Sequence, residues 1–260
     1  MTIKKINILV MAIIIFGGVV YSQEKVDGLE IIKKVYNRET GKDQTAQLTM
    51  TLIDSRKNKR IRTIKQFLKN GKSVEKKIMF FISPADVRNT SFMNWSYSKE
   101  GKGDDQWIYL PALKKIKRIS NDSKSDYFMG SDFTYDDLGD RKPSEDNHKF
   151  LRMEKIGDDN CYVIESKPKE EEYMYSRTIT WIIKDKWIGK KKEFYDEDGE
   201  LLKILEVKEY KKINGYWIIL HSEMKNIQKK HLTDMSLTNV KINGGIAQRQ
   251  FTERMMKRGI

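Results

Sequence analysis

Cysteine, proline and histidine are scarce in this 260-residue chain, which has one Cys, 4 Pro and 3 His. A lone thiol, Cys161, excludes an internal disulfide and any cysteine-rich zinc site. It lies in an apolar stretch between Asn160 and Tyr162, which predicts a buried, inert thiol. The prolines are isolated and no low-complexity tract occurs, so a long linker is excluded. Only one apolar run approaches membrane length, at the extreme N-terminus, which rules out a polytopic membrane protein. Catalytic spacings are missing too. His148, His221 and His231 form neither a His-x-x-x-His nor a His-Glu-x-x-His pattern. No Gly-x-Ser-x-Gly occurs, and Gly71-Lys72-Ser73 has Gln66 where a phosphate loop requires its first glycine. His221 and His231 could face each other across a hairpin, but they read as ordinary surface or sheet histidines and not as metal ligands. Aspartates at 122, 126, 132, 136, 137 and 140 lack the alternating order and terminal glutamate of a calcium loop. Turns and helix caps account for them better.

What is present is charge and large apolar side chains. Lys+Arg number 50 against 37 Asp+Glu, a net +13. Lysine outnumbers arginine 38 to 12 and is spread along the chain, unlike the arginine-rich face of a nucleic-acid binder, so no nucleic acid is expected. The densest basic cluster, Lys114-Lys115-Ile116-Lys117-Arg118, leaves transient contact with anionic membrane open. At the N-terminus, Lys4 and Lys5 precede an uncharged run from Ile6 to Val20, and Ser22 supplies a small residue before Gln23. This pattern predicts a cleaved secretory signal peptide over 1–22, a single domain over 23–260, and an exported protein.

Periodicity predicts a β-rich domain. Asp27, with Glu30 three residues on, opens one helix; Leu29, Ile32 and Tyr36 recur on a face with Ile31 and Val35, and Gly41 ends it. Alternation then predicts strands at 46–53, 59–69, 73–83, 90–98, 105–110 and 114–119. A second series falls at 148–156, 160–167, 176–184, 189–196, 201–212, 216–227 and 231–242. About a dozen meandering strands without crossover helices predict one long antiparallel sheet that twists, curls, and leaves a groove unless it closes.

Residues 120–145 interrupt this meander. They are too rich in Asp, Ser and Gly for a central strand, yet carry Tyr127, Phe128, Met129, Phe133, Tyr135 and Leu138. Ser131 or Asp132 could cap a short helix ending before Gly139. An inserted segment of this kind predicts a mobile lid over 121–139, with Phe128, Met129 and Phe133 as plugs. The sheet's concave face is expected to carry one shared apolar cavity lined by Leu48, Met50, Leu52, Met93, Trp95, Trp107, Tyr109 and Trp181. Alternation groups these residues within a strand; the choice of face between strands is an inference. The 12 Met, 5 Trp, 12 Tyr and 10 Phe suit an adaptable binding cavity.

Three blocks carry a family resemblance. They are Met79 to Ser98, Asp105-Gln106-Trp107-Ile108-Tyr109-Leu110-Pro111-Ala112-Leu113 with the following Lys114 to Ser120, and Phe128 to Leu138. Tyr195 to Lys203 is similar as well. Over Asp27 to Arg254 the chain resembles the outer-membrane lipoprotein-sorting protein family. It departs from that pattern in lacking prolines at Trp187-Ile188-Gly189 and Trp217-Ile218-Ile219. The resemblance implies a LolA-like unclosed β-barrel with helices plugging its mouth. It further implies a periplasmic carrier of lipid or lipoprotein acyl chains. An inner-membrane exporter of the RND type and an outer-membrane acceptor would be its partners, and no cofactor is expected. A regulatory sensor or an exporter subunit on the same fold is the alternative. A lipid hydrolase is disfavoured because no nucleophile–histidine pairing is visible.

Overall fold

The computed structural model describes residues 26–260. The expected leader over 1–22 and the start at Gln23 lie outside the described residues. The described chain opens with helix α1 (Gly28–Tyr36). Strands β1 (Asp43–Ile53), β2 (Lys59–Lys69), β3 (Val74–Ser83), β4 (Ser91–Tyr97), β5 (Asp105–Leu110) and β6 (Lys115–Arg118) follow. After the insertion come β7 (Asp146–Ile156), β8 (Asp159–Pro168), β9 (Arg177–Ile183), β10 (Ile188–Tyr195), β11 (Leu201–Ile213), β12 (Tyr216–Asn226) and β13 (His231–Ile242). Helix α2 (Glu253–Arg258) closes the chain. Strand and turn placement thus follows the alternation to within a few residues.

All 13 strands form a single antiparallel sheet in the order β6-β5-β4-β3-β2-β1-β13-β12-β11-β10-β9-β8-β7. The chain starts at mid-sheet, meanders to one edge at β6, and re-enters at the opposite edge as β7. It then meanders back until β13 pairs with β1. The two edges do not pair, so the barrel is unclosed. Its curl follows from packing. Phe128 packs beside Phe92 on β4, and Phe133 packs with Phe194 on β10. In a flat sheet, seven strand spacings of about 4.8 Å would part β4 from β10 by roughly 34 Å. Five residues of chain reach at most about 17 Å. The sheet therefore wraps around the insertion.

Helix α1 is capped by Asp27, whose carboxylate accepts from the Leu29 N–H at 2.9 Å. Glu30 pairs with Lys33 at 2.7 Å rather than reaching back to the cap, and the helix ends at Asn37, ahead of Gly41. Ile31 is buried against Ile164 and Ile182, with Ile32 and Val35 alongside, so the helix lies over the β8–β9 wall. Gly28 permits this approach. A Cβ there would stand 2.9 Å from the Phe150 nitrogen and 3.1 Å from the Lys149 carbonyl carbon, both backbone atoms of β7. Gly28→Ala is expected to lift α1 off β7 and to cost about 1–3 kcal/mol, as overpacking against rigid backbone does. A urea melt checks this; an unchanged midpoint would show that the contact relaxes freely.

Helix α2 covers the opposite face of the other arm. Phe251 and Met256 are buried on Ile78, Phe80 and Met93, and the Ser91 hydroxyl donates to the Met256 carbonyl at 3.0 Å. The α2 cap is Thr252, which accepts from the Met255 N–H. Among the described residues no helix is long and apolar enough to cross a membrane.

Candidate functional site

Strand parity divides the expected cavity residues between two faces. Leu48, Met50 and Leu52 on β1 join Ile64, Met79, Phe81 and Phe92 on the inner wall, the side the insertion occupies. Met93, Trp95, Trp107 and Tyr109 lie on the outer face, beneath α2. Trp95 and Trp107 do share a face, with ring centroids 5.4 Å apart, but it is the outer one. Trp181 sits in a third cluster with Cys161, Val163 and Ile183, also facing outward. The expectation of one shared cavity is therefore corrected: the eight residues occupy three separate clusters. The physical reason is that β3 is apolar on both faces, with Ile78 and Phe80 outside and Met79 and Phe81 inside. With both parities apolar, alternation cannot say which face of β4 and β5 turns inward. Cys161 is buried as expected, and burial followed by the nearby Asp159 charge pushes its thiol up to about 11.

The inner wall continues through Met235 and Leu237 on β13, Met224 on β12, Leu205 on β11 and Phe194 on β10. Its covering is the insertion itself, which leaves edge strand β6 and returns to edge strand β7. Phe128 is fully buried against Phe92 at 5.1 Å and Tyr135 at 5.6 Å between centroids, with Phe81 at 6.0 Å. Met129, Tyr135 and Leu138 pack beside it. Phe133 enters the second cluster with Tyr175, Phe194 and Met224. Met129 and Gly130 both have positive φ, 50° and 74°, which reverses the chain between the two plugs. The Phe128 N–H donates to the Phe133 carbonyl at 2.7 Å and closes the loop. The space an acyl chain would need is thus filled by the insertion. A short 3₁₀ turn, Asp136–Leu138, ends before Gly139 as expected, but neither Ser131 nor Asp132 caps it.

Asp132 has another use. Its buried carboxylate accepts from Thr233 Oγ1 at 2.7 Å and pairs with His231 Nδ1 at 2.7 Å, joining the insertion to β13. Lys203 on β11 is the second anchor. Its fully buried ammonium donates to the Asp132 carbonyl at 3.0 Å and forms an ion pair with Asp137 at 2.5 Å. Tyr127, Tyr175 and Phe194 surround it, with centroids 5.0 to 5.7 Å away. Asp137 also accepts from the Thr134 N–H at 2.7 Å and from the Tyr175 hydroxyl at 3.0 Å. Burial, then the charge of Asp137, raises the Tyr175 phenol well above its ordinary value. On the other arm, Arg62 donates to the Met129 carbonyl and Gln106 Nε2 donates to the Tyr135 carbonyl at 2.8 Å. A further lysine, Lys192 on β10, shares a face with Phe194, and burial lowers its affinity for its proton.

These anchors went unseen in the sequence, although a signal existed. Lys203 has the same strand parity as Leu201, Leu205 and Val207, so it is a cation on an otherwise apolar face; Arg62 shares its parity with Arg60 and Gln66 as well as Ile64 and gave no such signal. His221 and His231 do not meet: His221 pairs with Asp234 at 2.5 Å on the outer face, whereas His231 serves the insertion.

Comparison with known proteins places this arrangement. A family model described only as "Uncharacterized protein" matches residues 73–258. A crystal structure of an outer membrane lipoprotein-sorting protein domain from Vibrio parahaemolyticus is 32% identical, with a TM-score of 0.83 over 89% of this chain and 98% of that one. A DUF1329 family protein from Desulfovibrio piger is 27% identical, with a TM-score of 0.82 over 88% and 97% of the two chains. A LolA superfamily protein from Nitrosomonas europaea is 17% identical with a TM-score of 0.67, over 88% and 99%, and shares the fold. No curated protein matches the chain.

Proposed function

Because the chain belongs to the outer membrane lipoprotein-sorting family, we propose that it is an exported periplasmic carrier that binds the acyl chains of lipid or lipoprotein. The cargo enters the inner trough when the insertion over 121–139 withdraws, and it travels towards the outer membrane. An inner-membrane exporter of the RND type is the proposed donor, and an outer-membrane protein the acceptor. No catalytic step is part of this reading. The observation that carries it is the covering of the inner wall. A 13-stranded sheet with an apolar concave face is covered there by α1 and by a loop that plugs it with Phe128, Met129 and Phe133.

The energetics suit a container of this type. An acyl chain of about 15 methylenes costs roughly 12 kcal/mol to expose to water, at about 0.8 kcal/mol each. Crossing an aqueous compartment therefore needs an apolar wall, and release needs a cover that can leave. Methionines at 50, 79, 224 and 235 give that wall side chains able to adapt to cargo.

A photoreactive fatty acid tests the assignment. After illumination, label is expected on peptides carrying Met50, Met79, Met224 or Met235. Label concentrated on Trp95 or Trp107 would place the ligand under α2 and overturn the inner-trough assignment.

A further inference from the structure

We propose that a cavity beside the insertion binds the protonated amine of a cationic ligand, through carboxylates and the unpartnered side-chain carbonyl of Gln106. The cavity has a volume of about 420 Å³ and lies between the insertion, the start of β5, the β8–β9 loop and the β10–β11 turn. It is acidic in a chain whose net charge is +13. Asp122, Glu170, Glu172 and Glu197 line it, and none of the four forms an ion pair among the described residues. Asp104, Asp136 and Asp140 stand behind them. The cationic residues in the lining are Lys124 and Arg141, and Arg141 is committed to Asp146 at 2.6 Å.

Acidic loops alone would not indicate a ligand. The second observation is a buried amide in the lining, Gln106, backed by Asn94. Asn94 and Gln106 face each other across β4 and β5, each 1% exposed. Asn94 Oδ1 and Gln106 Oε1 have no hydrogen-bond partner. Gln106 lines the cavity, and its amide head lies at Gly139 on the same wall. Asn94 is tied to the Asp104 carboxylate at 3.1 Å, which also accepts from Ser96 and the Asp140 N–H. A buried acceptor without a donor is costly, so the Gln106 carbonyl calls for a group that brings an N–H donor.

A protonated primary amine supplies both the donors and the positive charge. The lining carboxylates supply the attraction, strengthened where the site is partly desolvated. Desolvation, then Glu75 and Asp104, pushes the Asp140 carboxyl up to about 6, and a neighbouring cation would relieve that strain. The volume exceeds what a bare metal ion needs. Among the described residues, the group with metal-ligand spacing is His221, Glu223 and Asp234, on the outer face and away from this cavity.

Two sources could present this chemistry: the amine of a lipid headgroup or a free polyamine. The lipid source rests on the carrier reading; the free amine does not. Calorimetry on the exported chain distinguishes them with three probes: spermidine, dihexanoyl phosphatidylethanolamine and dihexanoyl phosphatidylcholine. The choline probe keeps the charge but has no N–H. Saturable binding of the ethanolamine probe in preference to the choline probe supports a headgroup; saturable spermidine binding alone supports a free amine. In Glu170→Gln/Glu172→Gln/Glu197→Gln, affinity should fall at least about tenfold with an unchanged melting temperature. Gln106→Met should abolish the preference for ethanolamine over choline. Absence of saturable binding, an unaffected triple variant, or equal displacement by Mg²⁺ at matched ionic strength overturns the proposal. Fatty-acid labelling of the triple variant should persist, so failure here and failure of the carrier reading give different results.

Discussion

Lys203→Met is expected to cost about 3–5 kcal/mol, because it leaves the Asp137 carboxylate buried without its cation. The loss should appear as a lowered urea midpoint and as faster proteolysis within the insertion, since the same ammonium also holds the Asp132 carbonyl. Asp137→Asn should be comparably damaging, because the buried ammonium would lose its counter-charge and the Tyr175 hydroxyl its charged acceptor. The double variant Lys203→Met/Asp137→Asn should cost clearly less than the sum of the two singles, as both charges are then gone. Additive losses would show that the two residues act separately. A Lys203→Met protein within about 1 kcal/mol of the parent would show that the ion pair does not anchor the insertion.

Phe128→Ala and Phe133→Ala should each lower stability and also change the rate at which bound lipid leaves. Phe128 is fully buried against Phe81, Phe92 and Tyr135, and truncating such a ring costs roughly 3–5 kcal/mol in a static core. In a gating segment, part of the loss goes into opening the segment and not the whole domain, because covers that move belong to the least stable regions. Fluorescent-lipid release should therefore accelerate in both variants. Phe128 and Phe133 plug different halves of the trough, so their effects need not be equal. Large destabilisation with an unaltered release rate would reject the gate and leave a structural plug. Trp107→Asp provides the contrast: it sits beneath α2 and should destabilise that docking without changing release.

Most of the strand order was legible because every pairing except β1 with β13 is a local hairpin; that one pairing, and the separation of β6 from β7 to opposite edges, was not. Alternation along β1, with Leu48, Met50 and Leu52 on one side, identifies the strand and its two faces. Turn residues such as Asn214-Gly215 identify where it reverses, and the consecutive meander follows. The burial of Phe128 and Phe133 was legible as well, since large apolar residues stand out in a segment rich in Asp, Ser and Gly. Placing Trp95 and Trp107 with Met50 failed because β3 carries apolar residues at both parities, a pattern that gives no reference for the inside. The short helix α2 supplies the missing fact: it buries one of those apolar faces from outside.

Sequence alone thus established the elements, their antiparallel succession, the interrupting segment and the resemblance to lipoprotein-sorting proteins. All of these rest on contacts between residues near in the chain or on patterns within one segment. Three-dimensional packing settled the rest: which face is inner, that the insertion fills the trough, and that Lys203, Asp132, Asp137, His231 and Thr233 meet there. The Asp132–Thr233 hydrogen bond joins residues 101 positions apart. No local periodicity encodes such a meeting. It arises when the curl of the sheet brings β11 and β13 against a loop that enters from the far edge.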